Sequence, residues 1–181
     1  MRISEIGWLP KRQNKRSYTL IELIVVVLLI GIFLAIVSPS LLDRVFEVRL
    51  TGTARQIGNT ILYLHNQSAV VGKKHRLYYD LANNVYWSEK EEESEDGGEA
   101  DFVELGGTLG RKAALETGVQ FSDVTTPREV KANTGTCWTE FSPLGFAEKT
   151  VIHLIDEQKR VTTLTIKPFS GRTEIYDGYK E

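Results

Sequence analysis

Fifteen consecutive residues without a charge, LIVVVLLIGIFLAIV at 23–37, constrain this chain more than any other feature. Adding 18–22 gives a segment of about thirty ångströms if helical, the thickness of a bilayer's hydrocarbon core. Tyrosine apart, its one ionisable side chain is Glu22. Arg2, Lys11, Arg12, Lys15 and Arg16 precede it with a single acid, Glu5, so 1–17 carry +4. The whole chain carries −2, which leaves −6 on 18–181. A basic head, an apolar run and an acidic body form a membrane-targeting layout, with the N-terminus in the cytoplasm and the remainder outside. A cleaved secretory signal should show a small-residue site after the run, and Ser38-Pro39-Ser40-Leu41-Leu42 offers no A-x-A pattern. A buried core helix leaves the abrupt basic flank unexplained. A membrane anchor fits best.

Glu22 is the informative residue. A carboxylate in a spanning segment is unfavourable by a few kcal/mol on insertion scales, less near an end. One reading is local: Thr19-x-x-Glu22 has capping-box spacing, and an acid in a first helical turn suits the macrodipole. The other reading gives Glu22 a cation, the new α-amino group that a cut after Ser17 would create on Tyr18. Within one helix the two groups are separated by about 6 Å of rise. Between neighbouring helices offset along the axis they meet directly. The residues alone leave both readings open.

The string Lys15-Arg16-Ser17-Tyr18-Thr19-Leu20-Ile21-Glu22-Leu23-Ile24-Val25-Val26-Val27 resembles the prepilin-type N-terminus of type IV pilins and type II secretion pseudopilins. The usual family pattern is a basic leader, Gly, then Phe-Thr-Leu-Ile-Glu-Leu. Here Ser17 stands for the Gly and Tyr18 for the Phe; the first stays small and the second keeps the aromatic ring. The resemblance implies cleavage between Ser17 and Tyr18 by a membrane prepilin peptidase and N-methylation of Tyr18. It also implies that Glu22 pairs with a neighbour's terminal amine during filament assembly.

Beyond the apolar run, Leu42, Phe46, Leu50, Ala54, Ile57, Ile61, Leu64 and Ser68 recur every three or four residues, with Arg44, Glu47, Arg49, Arg55, Gln56 and Asn59 mostly between them. That is a helix with one apolar face. Continuous with the anchor, it makes a rod of about 80 Å whose outer half lies on a folded head. Gly31 and Pro39 interrupt it as weak points: Pro39 lacks an amide donor and obstructs the bond one turn back. A kink and, by the resemblance, a stretch that loosens on filament packing are both compatible with them. The expected organisation is a cleaved leader at 1–17, a transmembrane half-helix at 18–38, an amphipathic half-helix at 39–72 and a periplasmic head at 73–181.

In the head, 75–81 and 85–88 read as a β-hairpin turned by Asn83 and Asn84. The acidic stretch 89–101, EKEEESEDGGEAD, reads as an exposed, mobile loop. It lacks the spaced ligands of a calcium-binding loop. Further strands are expected at 118–124, 136–141, 150–156, 160–167 and 172–176. The fold class is therefore α+β and pilin-like: a long N-terminal helix, its first half in the membrane, packed on a mostly antiparallel sheet.

Thr139-Glu140-Phe141-Ser142-Pro143-Leu144-Gly145 and Lys167-Pro168-Phe169-Ser170-Gly171-Arg172-Thr173-Glu174-Ile175 resemble the C-terminal half of H-type minor pseudopilins and of minor type IV pilins of the FimT/FimU kind. Some of the latter take up DNA through Gly-Arg-x-Arg. Glu174 replaces the second arginine here, and acids repel phosphate, which disfavours nucleic acid as a partner. No catalytic motif, metal spacing or cofactor-binding motif is present: His65, His75 and His153 are scattered, and Cys137, the one cysteine, reads as a half-buried strand residue. The expectation is a non-enzymatic minor pseudopilin of the inner membrane and then the pseudopilus. The implied partners are major and minor pseudopilins, the prepilin peptidase and the inner-membrane assembly platform. A minor type IV pilin for adhesion, motility or DNA uptake, and an anchored periplasmic domain that never polymerises, are the alternatives.

Overall fold

A computed structural model describes residues 18–93, 100–107 and 110–181, with the side chains of 36–47 excepted. The chain divides into two compact units, Met1–Leu42 and Asp43–Glu181. One helix, α1 (Leu20–Val71), contributes to both. Neither Gly31 nor Pro39 falls outside its bounds.

In the first unit the helix is apolar on every side. The thirteen large apolar side chains between Leu20 and Leu34 are 47–79% exposed. Among the described residues no helix is long and apolar enough to cross a membrane. The described side chains of the apolar run end at Ala35, so they rise about 24 Å and fall short of a hydrocarbon core.

In the second unit α1 has one buried stripe. Leu50, Ala54, Ile57, Ile61, Leu64 and Ser68 are all buried, as the sequence spacing predicts. Leu42 and Phe46, expected in the same stripe, lie outside the described side chains. The helix ends where Gly72 takes a positive φ and donates its N–H to the Ser68 carbonyl.

Two antiparallel sheets cover this stripe. The first contains β1 (His75–Asp80), β2 (Val85–Glu92), β3 (Asp101–Glu104), β4 (Ala113–Ala114), β6 (Thr136–Ser142) and β7 (Phe146–Ala147), in the order β3-β2-β1-β6-β7 with β4 also paired to β2. The second runs β10-β9-β8-β5, from β5 (Val119–Thr125), β8 (Val151–Asp156), β9 (Val161–Ile166) and β10 (Thr173–Asp177). Strict alternation in β1 buries His75, Leu77 and Tyr79 beneath the helix and turns Arg76, Tyr78 and Asp80 outward. Ile152, Leu154, Leu164 and Ile166 complete the core from the second sheet. Thr139 hydrogen-bonds to Tyr79 of the neighbouring strand and donates to Thr150, which leads into β8 of the second sheet.

The asparagine turn forms as expected, with help from Asp80, whose carboxylate accepts the Ala82 and Asn83 amides while Asn84 takes φ 53°. The expected acidic loop at 89–101 is corrected. β2 continues through Glu92 and β3 begins at Asp101, which leaves only 94–99 outside the described residues. Cations stand beside these acids in the sheet: Arg76 is opposite Glu89, the Lys74 ammonium lies 3.9 Å from Glu91, which also accepts the Lys74 backbone amide, and Lys90 pairs with Glu92 at 2.8 Å.

His75 donates Nδ1–H to the Lys73 carbonyl at 3.0 Å. Burial holds its pKa below the ordinary 6.5, against the pull of that bond and with a smaller contribution from Lys90. The unfolded chain therefore binds more protons than the folded head just below pH 6.5. The stability this group contributes is complete above that pH and declines as pH falls towards the lowered value. Melting temperatures between pH 7.5 and 5 should show such a decline, and His75→Gln should flatten it. An identical slope in the variant would exclude His75 as its source.

Candidate functional site

The candidate assembly site begins at the start of α1. Ser17 lies outside the described residues; Tyr18 precedes the helix and is 76% exposed. Thr19 is the N-cap: its Oγ1 accepts the Glu22 amide at 3.3 Å and its carbonyl accepts the Leu23 amide at 3.2 Å. Glu22 sits in the first turn, exposed, and enters no ion pair among the described residues. The structure thus contains the backbone half of the capping box and leaves the Glu22 carboxylate facing outward. On another face of the helix Leu20, Leu23, Ile24, Val27 and Leu28 line an open apolar hollow that does not include Glu22. Gly31 has open space where a Cβ would stand, and the Pro39 side chain lies outside the described ones.

In the head the two C-terminal motifs converge on one residue of α1 that the sequence reading treats as an isolated histidine. His65 Nε2–H donates to the Gly145 carbonyl at 3.1 Å. Gly171 lies on the same imidazole: at φ 60°, a Cβ there would stand 2.3 Å from His65 Cγ. Ser68 Oγ, one turn on, donates to the Ser142 carbonyl at 3.1 Å. The glycines of both motifs are therefore docking points for the end of the helix. Arg172 follows this contact, and Glu174 pairs with Lys167 at 2.9 Å and accepts the Tyr176 hydroxyl.

Strand register also builds a surface that no local pattern announces. Trp87, Tyr78 and Trp138 form one cross-strand row on the outer face of the first sheet, with Tyr78 stacked on Trp87 at 5.1 Å between centroids. The next row is Glu89, Arg76 and Glu140. Arg76 grips Glu140 through Nε and Nη2 at 3.0 and 2.9 Å and lies 3.6 Å over the Phe102 ring.

His153 is also enclosed. Nδ1 lies 2.8 Å from Asp123 Oδ1, Nε2 lies 3.0 Å from the Lys180 carbonyl, and Tyr179 stacks on the ring at 3.8 Å. It ties the C-terminal tail to the second sheet. No group of three His, Cys, Asp or Glu among the described residues could hold a metal ion.

A family model described as the prokaryotic N-terminal methylation motif matches residues 12–38. The fold is similar to two solved structures of the minor pseudopilin EpsH from the Type 2 Secretion System of Vibrio cholerae. One has a TM-score of 0.55 at 11% identity, covering 76% of this chain and 99% of that one. The other has a TM-score of 0.50 at 11% identity, covering 71% and 97%. No curated protein matches in sequence. The chain therefore has a methylation-motif N-terminus and a pseudopilin-like fold. The α+β, pilin-like class expected from sequence is the class observed, in the form of a helix on antiparallel sheets.

In this pseudopilin-like head Cys137 is buried, facing the core from β6. Burial, with a smaller contribution from Glu129, pushes its thiol up to about 12, so the thiolate needed for nucleophilic chemistry is scarce at neutral pH. Maleimide should label the native protein at least a hundredfold more slowly than the urea-unfolded chain. Comparable rates, followed by mass, would contradict the buried assignment.

Proposed function

We propose that the chain is a minor pseudopilin, a non-enzymatic structural subunit of a type II secretion pseudopilus. The single observation carrying the proposal is the uncovered apolar helix. Thirteen large apolar side chains between Leu20 and Leu34 stand exposed, directly after a methylation-motif start and on a chain whose head has the fold of a minor pseudopilin. A helix apolar all round belongs in a membrane or among other helices. A pseudopilin needs both environments in turn.

The proposed sequence of events is the one that the prepilin resemblance implies. The basic leader 1–17 stays in the cytoplasm and 18–38 spans the inner membrane, which puts the head in the periplasm. The prepilin peptidase cuts between Ser17 and Tyr18, and Tyr18 is N-methylated. The new amine remains a cation. In the assembling filament Glu22 of one subunit accepts the Tyr18 amine of a neighbour, so the carboxylate is paired as it leaves the lipid surface. Packing of 20–34 against other pseudopilin helices offsets extraction from the bilayer. Gly31 and Pro39 supply the weak point at which the helix adjusts. The head makes lateral contacts with other subunits as the assembly platform adds them. Glu174 beside Lys167 favours this export role over DNA uptake, because the acid opposes phosphate there.

Two measurements test the proposal. In cells with an active prepilin peptidase, intact-mass and N-terminal analysis of the membrane-extracted protein should give a chain beginning with methylated tyrosine at Tyr18. Retention of 1–17 in such cells would refute the processing step. Glu22→Ala should be cut normally yet lose at least 90% of its co-purification with partner pseudopilins, because the partner's amine then has no counter-ion. Wild-type recovery of those partners would remove Glu22 from assembly.

A further inference from the structure

A groove of about 590 Å³ runs between α1 and the short edge strand β4, wholly within the second unit. The helix contributes Arg55, Gln56, Asn59 and Tyr63, and the other wall contributes Tyr86 and Arg111. Arg111 reaches the groove because Ala113, two residues on, pairs with Tyr86 of β2. Two guanidinium groups from distant stretches of the sequence thus border one concavity.

Both arginines are exposed, and among the described residues neither is held by a carboxylate. The surrounding chain makes this notable. Residues 18–181 carry −6, and Arg76, Arg128 and Arg160 each hold an acid within 3.0 Å. Two guanidiniums left open beside a groove on an acidic body form a local field of the opposite sign.

The remaining groups narrow the ligand. A guanidinium fork matches a carboxylate with two parallel hydrogen bonds. Gln56 and Asn59 carry both an acceptor and donors, and an extended peptide backbone presents matching donors and acceptors at intervals along the groove, which one compact phosphate does not. Burial pushes the Tyr86 phenol up, against the pull of Thr60 and Gln56, so it stays a neutral donor. From Arg55 to Tyr63 the helix rises about 12 Å, the length of roughly four extended residues.

We propose that this groove docks an acidic peptide segment of a partner protein, with two of its side-chain carboxylates gripped by Arg55 and Arg111 and its backbone held by the Gln56 and Asn59 amides. The proposal stands apart from the filament reading, since the groove uses nothing from 18–42. Free phosphate or a single lipid headgroup satisfies an arginine but spans less of the groove than an extended peptide does.

The test uses the full chain in non-ionic detergent and a fluorescein-labelled decapeptide of alternating Glu and Gly, followed by anisotropy. Binding should be saturable, should weaken about tenfold between about 50 and about 300 mM salt, and should vanish when Gln replaces Glu in the peptide. The Arg55→Gln/Arg111→Gln double variant should bind at least tenfold more weakly with an unchanged melting temperature. Absence of binding, or equal binding by the double variant, overturns the proposal. So does inorganic phosphate displacing the peptide at the same concentration as unlabelled peptide does, which would make the groove a general anion site. Arginine-dependent flotation with phosphatidylglycerol vesicles in place of peptide binding would assign it to lipid and overturn it equally.

Discussion

The structure depends on how one helix disposes of its apolar surface. Between Leu50 and Ser68 a single stripe of α1 is buried beneath two sheets, and the polar residues on the other side meet solvent. Between Leu20 and Leu34 nothing among the described residues covers the helix on any side. At roughly 1.5–3 kcal/mol for each fully buried aliphatic or aromatic side chain, the uncovered segment forgoes on the order of 20–40 kcal/mol. That exceeds the usual stability of a whole domain, about 5–15 kcal/mol. The head cannot compensate for this by folding better, because its own core is already closed. The surroundings of 20–34 must therefore supply the apolar contacts.

The head is built so that the far end of the same helix is held firmly. His65 and Ser68 receive the β6–β7 turn and the approach to β10 from opposite ends of the C-terminal third. Gly58 allows a comparable approach on the same face of the helix, about two turns earlier. A Cβ there would stand 2.5 Å from Thr173 Oγ1, so the start of β10 lies close against the helix. At Gly171 the missing side chain lets backbone approach His65 more closely than any other residue would permit, whereas at Gly58 the helix makes room for the Thr173 side chain. These contacts also make the helix an integral element of the head's core rather than an attachment to it.

Much of this was legible because the signals are local. The three-four spacing from Leu50 to Ser68 and the Asp80–Asn84 turn depend on neighbours a few residues apart. So does the run Val151-Ile152-His153-Leu154 beside Val161–Ile166, where period and composition alone predict the element. The division into two sheets was not legible, because β3, β4 and β7 are two to four residues long and form only where β2 and β6 offer an edge. The acidic stretch misled for a related reason. A run of like charge suggests a solvated loop, yet Glu89, Glu91 and Glu92 stay in β2, where Arg76, Lys74 and Lys90 come beside them through register or turn geometry. At the assembly site, the Thr19–Glu22 cap is readable within four residues. A cation for the Glu22 carboxylate is not, since the proposed donor belongs to another chain.

The two sequence readings of Glu22 turn out not to compete. The cap uses the Glu22 amide, which donates to Thr19 Oγ1, and leaves the carboxylate unconstrained by that bond. Thr19 fixes where the helix starts, and so fixes the height and direction at which the carboxylate emerges one turn later. The helix's positive end favours an anion there before any partner arrives, by about 0.3–1 kcal/mol at an exposed terminus. In the proposed filament a cut between Ser17 and Tyr18 would remove the leader without touching the cap, because Thr19 remains the residue that begins the helix. The liberated amine would stand beside its own subunit's cap while searching for a neighbour's acid. In the proposed filament a carboxylate turned outward beside the cap would be positioned for an intermolecular ion pair, and the same four residues would serve both folding and assembly.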